Sequence, residues 1–277
     1  KSLACYDMVW MEWMDGITIP AIQANKPSGT NYIVRLHRYE LFTPRTLKQI
    51  QHITSTGAYK NIDHLVFVSE FVRQIGISKF TWMEEISTVI PNLFDHTKFP
   101  LVKKERDYNL LFMGRISYVK NLPLCLSMFH ELLKLESNYK LHIVGEITDP
   151  ELKYCAENFI AKAKIENNVI WFDHIPHENI PRFMETMNYI ICSSIFESQG
   201  MGIIEGMCTG LKPVVFNFPG AEQFYPDKWL WTDLVEFTNI IFSGDYNPQE
   251  YHDYAVENFS IKKNVWRYKD LIEGIAT

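Results

Sequence analysis

From residue 105 onward the chain alternates short apolar runs of strand type with stretches of helical period, and this alternation narrows the fold more than any other feature. The runs are "YNLLFMG" (108–114), "YKLHIVG" (139–145), "NNVIWF" (167–172), "NYIICSS" (188–194) and "KPVVFN" (212–217). They are apolar almost without interruption, which is what strands covered on both faces require, so the pattern predicts a parallel sheet between helical layers. Between the first two runs, "NLPLCLSMFHELLKL" sets Leu124, Met128, Leu132 and Leu135 on one helical face, with Pro123 in the first turn, where its missing N–H is no loss. Further helices are expected at 150–164 and 177–187, and one that begins near Gly202 and stops at Gly210. The result is a Rossmann-like doubly wound domain, which binds ligands beyond the carboxyl ends of its strands.

The first hundred residues repeat the theme less completely. "YDMVW" (6–10), "YIVRL" (32–36), "HLVFV" (64–68) and "STVIP" (87–91) read as strands, with helices near 43–56 and 69–79. The charged stretch "HTKFPLVKKERD" (96–107) has the composition of a linker. After the last strand, "FSIKKNVWRYKDLIEGI" (259–275) has helical spacing through Ile261, Val265, Tyr268 and Ile272. With 277 residues, more than one core usually serves, the expected organisation is a partial first domain at 1–104, a second at 105–258 and a C-terminal helix at 259–277 that crosses back to the first.

Composition narrows the function classes. The formal net charge is −6 and only the middle of the chain is mildly basic, so no nucleic-acid stripe is present; that basic stretch could face an anionic acceptor or a membrane surface. Cys5, Cys125, Cys155, Cys192 and Cys208 are far apart and form no C-x-x-C pair. They read as reduced, buried thiols of a cytosolic protein. No apolar run approaches the length of about 18 residues that a membrane span needs. The chain begins at Lys1 rather than at a methionine, which points to a removed segment or a fragment.

Two places in the second half set polar groups where a strand gives way to a helix. In "FMGRISYVKN", Gly114 ends a strand, and Arg115 and Lys120 follow in a loop ahead of the next helix. Two cations beside a helix N-terminus suit a diphosphate. In "FESQGMGIIEGM", Gly200 and Gly202 let the backbone approach a ligand closely, with Glu197 at the strand end and Glu205 expected in the first turn of the helix.

Taken together, "GRISYVKN", "ESQGMGIIEGM" and "GLKPVVF", with "VIPNLFDHTKF" (89–99), "FVSEF" (67–71) and "FPGAEQF" (218–224), resemble the retaining GT-B-fold glycosyltransferases of glycosyltransferase family 4, also called glycosyl transferases group 1. The resemblance runs from about residue 60 to the end and is most specific between 110 and 222. It implies an α/β fold of GT-B type, two Rossmann-like domains facing a cleft, the N-terminal one incomplete. It also implies transfer of a sugar from a nucleotide-diphosphate sugar to a saccharide or lipid-linked acceptor. Arg115 and Lys120 would grip the diphosphate, Glu205 the ribose hydroxyls, and Glu197 would lie by the transferred sugar. Backbone around Gly114, Gly200, Met201 and Gly202 would orient phosphate and sugar hydroxyls, main chain near Ile175 the base, and His37 would stand near the sugar. No D-x-D sequence occurs, so no metal and no cofactor are expected, the charge being met by side chains and a helix end. The implied setting is polysaccharide or glycolipid synthesis in a bacterial cytoplasm, at or near the inner face of the membrane, with room for peripheral membrane attachment.

The sequence departs from that family at Leu93, where glycine is usual, at Gln199, where phenylalanine is frequent, and at the front, where an opening strand and glycine-rich loop are absent. Those departures keep open a nucleotide-sugar-binding fragment without turnover and a GT-B-fold epimerase. A glycoside hydrolase using Glu197 and Glu205 as its acid–base pair leaves Arg115 and Lys120 without a role.

Overall fold

The structure, a computed structural model, describes residues 6–276, so Cys5 lies outside the described residues. The chain divides into two compact units. Unit 1 takes residues up to Asn92 and those from Val265 onward, and unit 2 is the continuous stretch Leu93–Asn264.

Unit 1 is built on four parallel strands, β1 (Met8–Met11), β2 (Asn31–Leu36), β3 (His64–Phe67) and β4 (Ser87–Val89), in simple spatial order β1-β2-β3-β4. Four helices supply one covering layer: α1 (Thr18–Gln23), α2 (Arg38–Phe42), α3 (Pro44–Thr56) and α4 (Glu70–Lys79). Their apolar faces, with Ile22, Leu41, Ile50, Ile53 and Val72 all buried, pack on Val34, Leu65 and Phe67 of the sheet. The alternate strand residues Ile33 and Val66 point to the other face, as the two-residue period of a strand demands.

Unit 2 has six parallel strands: β5 (Asn109–Met113), β6 (Lys140–Val144), β7 (Val169–Phe172), β8 (Tyr189–Cys192), β9 (Lys212–Phe216) and β10 (Leu230–Trp231), in spatial order β10-β9-β8-β5-β6-β7. Sequence order reverses beside β5, which pairs with β6 on one side and β8 on the other. That reversal sends the following helices to opposite faces. Helices α5 (Leu122–Leu135), α6 (Pro150–Ala163) and α9 (Leu234–Phe242) share one core, through Phe129, Ile160 and Phe237 among others. Helices α7 (Ile180–Met184), α8 (Met201–Cys208) and α10 (Pro248–Phe259) share the other, through Met184, Ile204 and Tyr251. The two central strands β5 and β8 are therefore sandwiched, which is why their sequences, NLLFM and YIIC, carry so little polarity.

Four sequence expectations shift. On α5 the buried residues are Leu122, Cys125, Leu126, Phe129 and Leu132, while Leu135 is 63% exposed. The helix carries a polar stripe, Ser127, His130, Glu131 and Lys134, at three- and four-residue spacing, and the face opposite that stripe is the one buried. The frame that buries Phe129 wins, since full burial of such a side chain contributes about 1.5–3 kcal/mol and Leu135 stands on the final turn before the chain extends at Glu136. The C-terminal stretch is not one helix: α11 (Ile261–Asn264) ends in unit 2 and α12 (Trp266–Ala276) belongs to unit 1. Tyr268, Leu271 and Ile275 are the residues that pack on Ile33, Val66 and Ile90, whereas Ile261, Val265 and Ile272 are exposed, because a single period cannot serve two helices that cover different cores. Cys125, Cys192 and Cys208 are buried, but Cys155 lies on the outer face of α6 and is exposed. The segment 93–104 packs with unit 2, where Phe94 and Phe99 enter the core.

Candidate functional site

The carboxyl ends of β5, β6 and β8 meet where sequence order reverses, the place at which open α/β sheets bind ligands. Strands β5 and β6 each end in a glycine of positive φ, Gly114 at +134° and Gly145 at +137°. A Cβ on Gly145 would stand 2.0 Å from the carbonyl oxygen of Gly114, so the two strand ends approach as closely as backbone allows. Beyond the glycines the loops stay paired, with Gly114 N–H donating to Val144 O at 3.0 Å and Ile116 N–H to Glu146 O at 2.9 Å.

The loop after β5 is fastened to the loop after β8. Ser193 Oγ–H donates to the carbonyls of Lys120 and Asn121, both at 3.0 Å, and Ile195 N–H donates to Val119 O at 2.9 Å. This clamp brings residues nearly eighty positions apart into contact: Lys120 Nζ lies 2.6 Å from Glu197 Oε1, which also accepts from Ser194 Oγ at 2.8 Å. Gly200, at φ +83°, caps α8, and the hydroxyl of buried Tyr225 donates to Gln199 O at 2.7 Å and Gly200 O at 3.3 Å, fixing the turn from beneath.

A cavity of about 440 Å³ opens among these loops. Gly114, Arg115, Lys120, Ile175, Gly202 and Glu205 line it together with Gly145, Glu146, His174 and His177. Six of the residues singled out from sequence thus share one wall of unit 2. Gly200 borders a small neighbouring recess with Lys120 and Ser194, and Met201 packs partly buried against the core under α8. Arg115 is exposed at the rim, and its guanidinium makes no hydrogen bond or ion pair among the described residues. A larger hollow, about 670 Å³, lies in unit 1 beside Lys26, His52 and Asn61 and contains none of the expected groups.

His37 is in unit 1 and is held locally. It caps α2 and shares a capping box with Glu40, its Nε2 lies 3.1 Å from Glu12 Oε1, and its ring stacks on Trp13 at 4.2 Å. Burial would raise the Glu12 carboxyl, but the hydrogen bonds from His37 and Trp10 and the charge of Arg35 outweigh it and hold the group below the usual carboxylate range.

Glu205 is the fifth residue of α8 rather than part of its first turn, because the helix starts at Met201. Side chains on a helix lean toward its N-terminus, so the carboxylate still reaches the N-terminal end and the cavity. Burial pushes its carboxyl above the ordinary value, and a hydrogen bond from His177, Nε2 to Oε1 at 3.1 Å, partly offsets that. Sequence reasoning did not find His177, Gly145, Ser194 or Tyr225. Gly145 had a signal, since "YKLHIVG" ends as "YNLLFMG" does; a loop histidine or a core tyrosine carries none.

Two units on parallel sheets, the second with its cavity at a strand-order reversal, make this an α/β fold of GT-B type. Residues 94–228 match the family described as Glycosyl transferases group 1. The chain is 25% identical over 230 residues to alpha-monoglucosyldiacylglycerol synthase of Streptococcus pneumoniae, covering 76% of this chain and 49% of that one. It is 24% identical over 188 residues to the putative glycosyltransferase YtcC of Bacillus subtilis, covering 61% and 46%. The chain therefore spans about half the length of both relatives. Among solved structures, Anabaena HepE in complex with UDP and glucose superposes with a TM-score of 0.79 at 16% identity, over 98% of this chain and 78% of that one. Sucrose-phosphate synthase from Thermosynechococcus elongatus superposes with 0.76 at 14% identity, over 98% and 74%. No helix among the described residues is long and apolar enough to cross a membrane.

Proposed function

We propose that the chain moves a sugar from a nucleoside-diphosphate sugar to a saccharide or lipid-linked acceptor, with retained anomeric configuration, in cell-surface polysaccharide or glycolipid synthesis. The observation that carries this reading is the 2.6 Å contact of Lys120 with Glu197 beside a cavity that Arg115 and Glu205 also line. Two cations and two carboxylates at strand ends can divide a nucleotide sugar between them, the cations taking the diphosphate and the acids taking hydroxyls. A cavity of about 440 Å³ is of the size small ligands occupy.

In this reading Arg115 and Lys120 neutralise the charge that builds on the diphosphate as the glycosidic bond breaks. Each charge-assisted hydrogen bond contributes about 1.5–3 kcal/mol, or roughly one to two decades in rate. Glu205 holds ribose hydroxyls, main chain near Ile175 meets the base, and backbone N–H groups from Gly200 to Gly202 meet sugar and phosphate oxygens. Gly114 gives the phosphates room. Glu197 keeps Lys120 extended until a donor arrives and then lies by the sugar. The departing phosphate takes the acceptor proton, so neither a nucleophilic carboxylate nor a divalent metal is assigned. His37 is the proposed acceptor-side group. The name of alpha-monoglucosyldiacylglycerol synthase supports a glycolipid setting, the inner face of a membrane is the proposed location, and HepE's complex with UDP makes uridine donors the first to test.

Calorimetric titration with UDP- and GDP-sugars, followed by transfer assays with a diglyceride and a series of oligosaccharides in EDTA, tests the proposal. Proton NMR of the product is expected to show the donor's anomeric configuration. An inverted product, or activity abolished by EDTA and restored by magnesium, would overturn the mechanism. A second reading is donor binding without turnover; tight binding with no nucleotide release would favour it.

A further inference from the structure

Glu205 accepts a hydrogen bond through one carboxylate oxygen and not the other. Oε1 lies 3.1 Å from His177 Nε2, and among the described residues Oε2 has no hydrogen bond. His177 opens the short turn His177–Asn179 between β7 and α7 and lines the cavity itself. Its ring stands edge-on to Phe99 at 5.6 Å and 70°, and Phe99 is fixed in the core, 2% exposed, with its carbonyl accepting from Cys208 Sγ at 3.2 Å. The imidazole is thus seated on a rigid base, while its Glu205 partner has only 13% of its side chain exposed.

A carboxylate with both oxygens open can rotate and can hold a diol in several ways. One pinned by a ring nitrogen has its second oxygen aimed in one direction. We propose that His177 is a positioning residue for ribose recognition: by holding Oε1 of Glu205 it presents Oε2 to the vicinal 2′- and 3′-hydroxyls of a bound nucleotide. The inference rests on the nucleotide-sugar reading above and adds a determinant of ribose against deoxyribose. A donor N–H on Oε1 also favours the ionised, purely accepting form of a carboxyl that burial pushes toward protonation. A site built to bond a hydroxyl rejects the analogue that lacks it, because the buried acceptor is left unpaired.

The test measures the dissociation constants of UDP, GDP and their 2′-deoxy counterparts by calorimetry, for the unaltered protein, His177→Ala and His177→Gln. The unaltered protein should bind the ribonucleotide about tenfold or more tighter than the deoxynucleotide, as expected for a bond to a charged group. In H177A that ratio should fall to about twofold with little change for the deoxynucleotide. H177Q, whose amide N–H can reach Oε1, should recover most of it. His177 is 65% exposed in its side chain, so both variants should fold, and thermal melting confirms it. A ratio unchanged in H177A, or a uniform loss for ribo and deoxy forms alike, overturns the role of His177. Failure of the unaltered protein to bind any of the four nucleotides at millimolar concentration overturns the nucleotide-sugar reading instead.

Discussion

Gly145→Ala is the sharpest probe of how the site is built. The new Cβ would stand 2.0 Å from Gly114 O and 2.8 Å from Gly114 C, and both of those atoms are backbone. Relief needs the ends of β5 and β6 to part by about 1 Å or more, since contacts under 3.0 Å essentially never occur. Parting weakens the Gly114–Val144 and Ile116–Glu146 hydrogen bonds, worth about 1 kcal/mol each, and alanine at φ +137° adds strain of about 1–3 kcal/mol. The total is about 3–5 kcal/mol. At about 2–4 °C per kcal/mol for a domain of this size, the transition of unit 2 should fall by roughly 6–20 °C in differential scanning calorimetry. Gly114 and Arg115 move with the strand end, and a displacement near 1 Å is enough to reduce turnover about a hundredfold. Gly57→Ala in unit 1 is the control: φ is +78° but nothing lies within 4 Å of its Cβ, so it should lose stability without touching nucleotide affinity. A Gly145→Ala protein that melts within 2 °C of the parent and binds nucleotide unchanged would refute the close approach of the two strands.

Two further outcomes follow from other residues. Glu40 is fully buried, accepts from His37 N–H at 3.1 Å and Met14 N–H at 3.4 Å, and burial raises its carboxyl to about 7, with Asp15 adding to the rise against those two bonds. The unfolded chain ionises this group near 4.5 while the fold keeps its proton, so its stabilising effect is complete below pH 4.5 and lost as pH rises through about 7, a change of about 3 kcal/mol. Urea unfolding of Glu40→Gln should show no such loss between pH 4.5 and 8; a parent protein with the same pH profile as the variant would contradict this. Lys120→Met should weaken binding of UDP ten- to a hundredfold while leaving uridine unaffected in calorimetry, and equal losses for both would remove the lysine from the diphosphate.

Much of unit 2 was legible because its strands are covered on both sides: β5, β6, β8 and β9 announce themselves by nearly continuous apolarity, and β5 and β6 by their terminal glycines. The frame of α5 was legible in its polar stripe, Ser127, His130, Glu131 and Lys134, which marks the solvent face; Leu124, Met128 and Leu135 lie beside that stripe rather than opposite it. The break near Val265 was hidden because apolar spacing continues across a point where the chain changes cores. For the site, residue type and the strand-to-helix junctions located Arg115, Lys120, Gly202 and Glu205 on one cavity. They could not locate His177, whose contact with Glu205 depends on how the turn after β7 lies against α8.

The discontinuity of unit 1 bears on the order in which the protein can be made. Helix α12, which covers Ile33, Val66 and Ile90, is synthesised after the whole of unit 2. On the ribosome, then, Ile33, Val66 and Ile90 emerge well before the helix that packs on them, whereas unit 2 is drawn from one uninterrupted stretch of chain.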